Sequence, residues 1–145
     1  MREQPVKEVS ILLVEDDDID AMGVQRTLTA MRLVNPLLRA RNGIEALEIL
    51  RNNTIQRPYL ILLDLNMPKM NGLQMLEELR RDPELSSSVV FVFTTSKDEQ
   101  DIFAAYQGHI AGYIIKSELT AGFKELFEML DCYWRLVELP VDSEN

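Results

Sequence analysis

Five short apolar runs separated by stretches of helical periodicity constrain this sequence more than any other feature: VSILLV (9–14), PLLRA (36–40), YLILLD (59–64), VVFVFT (89–94) and AGYIIK (111–116). Each is too short for a helix of its own and is continuous rather than alternating, the pattern of a strand covered on both faces. Between and after them lie a helical stretch reaching about Met31, then IEALEIL (44–50), GLQMLEELRR (72–81), DEQDIFAAYQG (98–108) and a closing helix from Leu119 to Val137. Strand and helix in alternation predict an α/β fold, a (βα)5 domain whose parallel sheet is doubly wound through right-handed crossovers. Turn chemistry marks the same boundaries. Asn42-Gly43 suits the start of the second helix, Pro58 ends the connection before the third strand, Pro68 stops the loop after Asp64 from turning helical at once, and Gly72 reopens a helix.

At 145 residues the chain is long enough for one domain with a substantial core. The pattern places that core at about 8–137, with polar tails at 1–7 and 138–145 and no second domain. Charge narrows the function classes. With 24 acidic against 15 basic side chains, a net −9, the surface has the wrong sign for a domain that neutralises nucleic-acid phosphates. No apolar run approaches the ~18 residues of a membrane span, and MREQPVKEVS carries no secretory apolar region, so no membrane partner and a cytoplasmic location are expected. The single cysteine, Cys132, excludes an internal disulfide, and the single histidine, His109, cannot build a metal cage or a hydrolytic triad.

The informative polar residues sit at the carboxyl ends of the predicted strands. The first strand ends in Glu15-Asp16-Asp17-Asp18, the third in Asp64, the fourth in Thr94-Thr95-Ser96 and the fifth in Lys116. In an open α/β sheet the ligand crevice lies outside these ends, where strand order reverses. Each residue taken singly has an ordinary reading. Acidic residues before a helix and a threonine after a strand usually serve as caps, and a lysine after a strand is usually solvated. Asp64 resists that reading, because a carboxylate directly after an apolar run needs partners. Together these groups suit one chemistry. Clustered carboxylates repel unless a cation sits among them, and Mg2+ takes one or two carboxylates together with phosphate oxygens. Asp64 could then be both a ligand and a nucleophile toward phosphorus, with Lys116 and Thr94 neutralising equatorial oxygens.

VEDD, then PYLILLDLNMPKMNG, a threonine ending the fourth strand and Tyr113-Ile-Ile-Lys116 give the chain a resemblance to the receiver domain of two-component response regulators, over about residues 8–137. The resemblance implies a flavodoxin-like fold with strand order 2-1-3-4-5 and Asp64 as phosphoacceptor, fed by a phosphohistidine of a sensor histidine kinase. It implies Mg2+ held by Asp16, Asp64 and the Asn66 backbone carbonyl, with Glu15 acting through water, and leaves Asp17 as a helix cap. It makes Lys116 the phosphoryl-binding lysine, Thr94 the switch hydroxyl and Tyr113 the aromatic that follows it. Asn66 and Thr95 flank the site where water would attack and would modulate the phosphoryl lifetime. Such a protein is no enzyme beyond its own phosphotransfer and slow dephosphorylation. One departure stands out: the family usually has proline, often in cis, after its lysine, and here Ser117 follows Lys116. A non-proline cis bond costs ~2.5 to 4 kcal/mol, so a trans Lys116–Ser117 peptide is expected.

The closing helix carries Leu119, Phe123, Leu126, Phe127, Leu130, Tyr133, Trp134 and Val137, more apolar positions than one core stripe requires. Tyr133 and Trp134 are therefore expected beyond the sheet edge as a partner or homodimer surface. The ending CYWRLVELP and the lone receiver, with no output domain following, look similar to single-domain regulators paired with phytochrome-type kinases. Two rival readings remain. Aspartate-nucleophile phosphatases carry a second aspartate two residues on, as general acid, where this chain has Asn66. A phosphorylation-independent adaptor would have no need of the full acidic, acceptor, hydroxyl and lysine set.

Overall fold

The computed structural model describes residues 8–140, so the tail at 1–7 and the last part of the other, 141–145, lie outside the described residues. Five strands, β1 (Ser10–Val14), β2 (Leu37–Ala40), β3 (Tyr59–Leu63), β4 (Val89–Thr94) and β5 (Gly112–Ile115), form a parallel sheet in the order β2-β1-β3-β4-β5. The helices are α1 (Asp18–Ala30), α2 (Gly43–Arg51), α3 (Gly72–Arg81), α4 (Glu99–Gln107) and α5 (Phe123–Leu136), with a 3-10 turn at Lys116–Glu118. The alternation and strand order expected from the sequence are both present.

Two cores explain why the strands read as unbroken apolar runs. Successive strand side chains point to opposite faces. Leu12, Val14, Ile61, Leu63, Val90 and Val92 pack on one side, with Leu47 and Leu50 of α2 and Met75, Leu76 and Leu79 of α3. Ile11, Leu13, Leu60, Leu62, Phe91 and Phe93 pack on the other, with Val24 and Leu28 of α1 and Leu126, Phe127, Leu130 and Trp134 of α5. The register keeps equals together, Leu12 opposite Ile61 and Ile61 opposite Val90.

Local chemistry fixes where each helix starts, and so where the loops above the sheet can go. Asp17 caps α1 by accepting from the Ile19 and Asp20 amides at 2.8 and 3.1 Å. Asn42 caps α2. Asn71 and Gln74 form a reciprocal capping box at α3. At the opposite end of the molecule the Arg80 guanidinium donates to the carbonyls of Gly108, Ser86, Ser88 and His109 at 2.7 to 3.0 Å. It ties the last turn of α3 to the loops on either side of β4 and α4.

Three sequence expectations are corrected. The closing helix begins at Phe123 rather than Leu119, because the chain leaves β5 through the 3-10 turn and Gly122 takes a left-handed φ of 65° before the helix. Of the expected surface pair, Trp134 is buried and Tyr133 is partly buried. Trp134 is only 7% exposed, its indole N–H donates to Asp131, and Tyr133 meets Phe91 edge to face at 5.1 Å. The predicted polar tail from 138 is not polar throughout, since Leu139 is buried in the α1/α5 core. The cis peptide among the described residues is Arg57–Pro58, so Lys116–Ser117 is trans, as expected.

Candidate functional site

Asp64 follows the last residue of β3 and lies at the floor of a crevice, 7% exposed. Its Oδ1 accepts the Thr94 hydroxyl at 2.7 Å and the Asn66 backbone N–H at 3.3 Å. The buried Thr94 is placed by β4, whose pairing with β3 brings the two strand ends together. Across the crevice, the Lys116 ammonium donates to Glu15 Oε1 at 2.5 Å and Asp20 Oδ2 at 2.7 Å, and stands 3.8 Å from Asp64 Oδ2. It also lies over the Phe93 ring, 5.2 Å from the centroid. Oxygens of Glu15, Asp16 and Asp64 gather within 4.8 Å of one another, with Asp16 open to solvent and the other two buried.

Backbone hydrogen bonds and close packing position this arrangement. The Glu15 amide bonds to the Ala40 carbonyl, and Arg39 of β2 donates to the Glu15 carbonyl at 3.0 Å. The Glu15 side chain in turn accepts the Asp17 amide. Below Asp64, Gly72 packs so closely that a Cβ there would run into the Asp64 carbonyl oxygen and come within 2.8 Å of Leu65 Cα. The Gly72 amide donates to the Leu65 carbonyl at 3.0 Å. Only a residue without a side chain lets α3 start this close under the strand end.

The electrostatics follow from crowding. Burial pushes the Glu15 carboxyl up to about 8, against the lowering effect of the Lys116 hydrogen bond and with further raising from Asp64. Burial works against the Lys116 ammonium, but its hydrogen bonds to Asp20 and Glu15 and the charge of Asp64 outweigh it and hold Lys116 above the ordinary lysine value. This donor set suits a hard divalent cation. Its oxygens are carboxylates, one lies open to solvent, and a cation among them would favour the charged form that burial first, and Asp64 second, disfavour at Glu15.

The strand-end residues named from sequence thus converge: Glu15, Asp16, Asp64, Thr94 and Lys116 share one crevice. Asn66 and Thr95 are exposed at its rim. Tyr113 lies apart from Asp64 on edge strand β5, and its hydroxyl donates to the Ser96 carbonyl at 3.0 Å, two residues past Thr94. Asp17 is the helix cap. Sequence reasoning missed two contributors. Asp20 lies in the first turn of α1, where an acidic residue reads as complementing the helix dipole, so its position gave no signal of a long-range partner. Arg39 gives no such signal, because strand alternation does not reveal that its guanidinium bends over the β1 end.

A protein-family comparison matches residues 11–130 to the response regulator receiver domain. The chain belongs to this family. It is a receiver of two-component phosphorelay signalling. Response regulator Rcp1 of Synechocystis sp. is 38% identical over 138 residues, covering 90% of this chain and 92% of that protein. Among solved structures, the Mn(2+)-bound form of Rcp1 superimposes with a TM-score of 0.75 at 35% identity, covering 92% of this chain and 99% of its own. The phosphorylated cyanobacterial phytochrome response regulator RcpA gives 0.79 at 35% identity, over 93% and 100%. That Rcp1 structure holds Mn2+, and in this chain Glu15, Asp16 and Asp64 form an acidic cluster compatible with a divalent cation. No helix among its described residues is long and apolar enough to cross a membrane.

Proposed function

We propose that this receiver takes a phosphoryl group onto Asp64 from a phosphohistidine of a sensor histidine kinase, and that Mg2+ is the cation of the acidic cluster. An Asp64 carboxylate oxygen forms the new O–P bond as the P–N bond to the imidazole breaks, leaving that bond's electron pair on the nitrogen. The observation that carries this is the grouping around one carboxylate at the β3 end: the Thr94 hydroxyl at 2.7 Å, the Lys116 ammonium at 3.8 Å and two further carboxylates within 4.8 Å. Asp16, Asp64 and the Asn66 carbonyl would hold the cation, with Glu15 through water. The cation would supply charge neutralisation at the transferring phosphoryl oxygens. Lys116 and Thr94 would take the other two oxygens. Asn66 and Thr95, at the rim, would set how fast water removes the group.

Thr94 now donates to Asp64. Once its hydroxyl turns to a phosphoryl oxygen, the β4–α4 segment shifts with it, and Tyr113 feels the change through its bond to the Ser96 carbonyl. The α4–β5–α5 face, where Phe103 is 66% exposed and Tyr106 half exposed, would then offer a partner or homodimer surface. We place the protein in the cytoplasm, with a phytochrome-type kinase as donor. RcpA and the bacteriophytochrome response regulator AtBRR, 28% identical at a TM-score of 0.72, support that pairing.

The test is acetyl phosphate with Mg2+, read by intact mass on wild type and Asp64→Asn. Wild type gains one phosphoryl group and the variant none. An unlabelled wild type, or equal labelling of the variant, overturns the assignment.

A further inference from the structure

The four acidic residues of the β1–α1 turn and the one that follows divide their work in a way the sequence does not reveal. Glu15 is buried against Lys116, Asp17 caps α1, and Asp18 pairs with Arg39 and Arg41 at 2.7 and 3.0 Å. Asp16 is left for the cation cluster. Asp20 neither caps the helix nor belongs to the cation cluster, and it joins Glu15 on the lysine. Its backbone N–H is fixed by the Asp17 cap, and its carboxylate crosses to Lys116, 96 residues on, at 2.7 Å.

An ammonium has three N–H donors in tetrahedral array. On Lys116, whose side chain is only 10% exposed, two are committed, to Glu15 and to Asp20. The Asp64 oxygen at 3.8 Å lies beyond hydrogen-bond length from the same nitrogen, leaving room on that side for an oxygen attached to Asp64.

We infer that Asp20 is a positioning residue for Lys116: together with Glu15 it anchors the ammonium so that its remaining N–H faces Asp64, and so sets how readily Asp64 takes and keeps a phosphoryl group. The inference rests on Asp64 being the acceptor. Lys116 does not have to leave Asp20 in order to act, because the two anchors and the phosphoryl oxygen use different donors.

Two readouts test it, on the full chain, in wild type, Asp20→Ala and Asp20→Asn. The first is reductive methylation of lysines, mapped by peptide mass, which requires no phosphorylation. Lys116 becomes more reactive in Asp20→Ala, while the exposed Lys97 and Lys124 in the same sample do not change. The second is the rate of acetyl phosphate labelling with Mg2+. Asp20→Ala labels about tenfold more slowly, the low end of losing one charged hydrogen bond, and Asp20→Asn, which keeps a neutral acceptor, falls between. A merely structural role on α1 would lower the melting temperature without raising Lys116 reactivity selectively. Unchanged Lys116 methylation in Asp20→Ala overturns the inference, and so does wild-type labelling despite raised methylation. Failure of wild type to label at all, with Lys116 reactivity responding to Asp20, would instead sink the reading of Asp64.

Discussion

Replacing Gly72 by alanine tests how tightly the floor of the site is built. The backbone angles at Gly72 are not left-handed, so alanine suffers no torsional penalty and the obstacle is purely spatial. The new Cβ would overlap the Asp64 carbonyl oxygen and lie 2.8 Å from Leu65 Cα and 2.9 Å from Leu65 Cδ2. Two of these three atoms are backbone, which cannot rotate away. Overpacking of this kind costs about 1 to 3 kcal/mol, and the better helix propensity of alanine returns up to about 1 kcal/mol. With two backbone atoms in the way the cost lies in the upper part of that range, about 2 to 3 kcal/mol, so a net loss of about 1 to 2 kcal/mol remains. At about 2.1 cal/mol/K of unfolding entropy per residue, each kcal/mol is worth about 3 to 4 °C for a chain of this length, so the midpoint should fall by about 3 to 7 °C. Because the Gly72 amide is bonded to the Leu65 carbonyl, relief must come from lifting the 64–65 backbone, which carries the Asp64 carboxylate with it. Labelling by acetyl phosphate should therefore slow by more than the stability loss explains. Gly108→Ala is the control. Its Cβ would press chiefly on the Leu76 side chain, which can turn, and it should cost stability while leaving labelling at the wild-type rate. Calorimetry with intact-mass kinetics measures both effects. A Gly72→Ala protein as stable as wild type that labels at the same rate would refute the reasoning.

Further predictions follow from the same geometry. Trp134→Ala should destabilise by about 3 to 5 kcal/mol, seen as an early unfolding midpoint in far-UV circular dichroism, because the indole is core; a loss of self-association without a loss of stability would contradict this. Arg80→Met keeps much of the aliphatic stem but removes the charged donors from four carbonyls, and should cost about 2 to 4 kcal/mol in urea titrations while sparing phosphoryl labelling. Asp18 is held below the usual aspartate range, first by its hydrogen bond from Arg39 and then by the charges of Arg41 and Arg39. A depressed carboxylate stabilises the fold above its unfolded pKa and loses that contribution as pH falls through the folded value. The difference in midpoint between wild type and Asp18→Asn should therefore be full at neutral pH and shrink as pH falls below the usual aspartate range and the folded carboxyl takes up its proton, as a pH series of melting curves would reveal.

How much was legible in advance depended on the range of the physics involved. Continuous apolar runs such as YLILL read as strands covered on both faces, and Asn42 and Gly72 marked helix starts, the first through a contact within three residues. The grouping of Glu15, Asp16, Asp64, Thr94 and Lys116 was legible as well, because a parallel sheet delivers every strand's carboxyl end to the same side. The closing helix misled, since its aromatic positions were more than one stripe appeared to need. Its true length is shorter, and the groove it covers is deep enough to take Trp134 and, after the helix ends, Leu139.

The sequence by itself determined the alternation, the two-sided core and the edge at which polar residues gather, because periodicity and capping act over a few residues. Only the tertiary structure decided who partners whom at that edge. Lys116 is held by Asp20 from 96 residues away, and Arg39 reaches across from β2 to the Glu15 carbonyl. Such contacts depend on helix tilt and on the reach of long side chains over the strand ends. A pattern of polar and apolar residues records which face is buried, but not the angle at which another element crosses it.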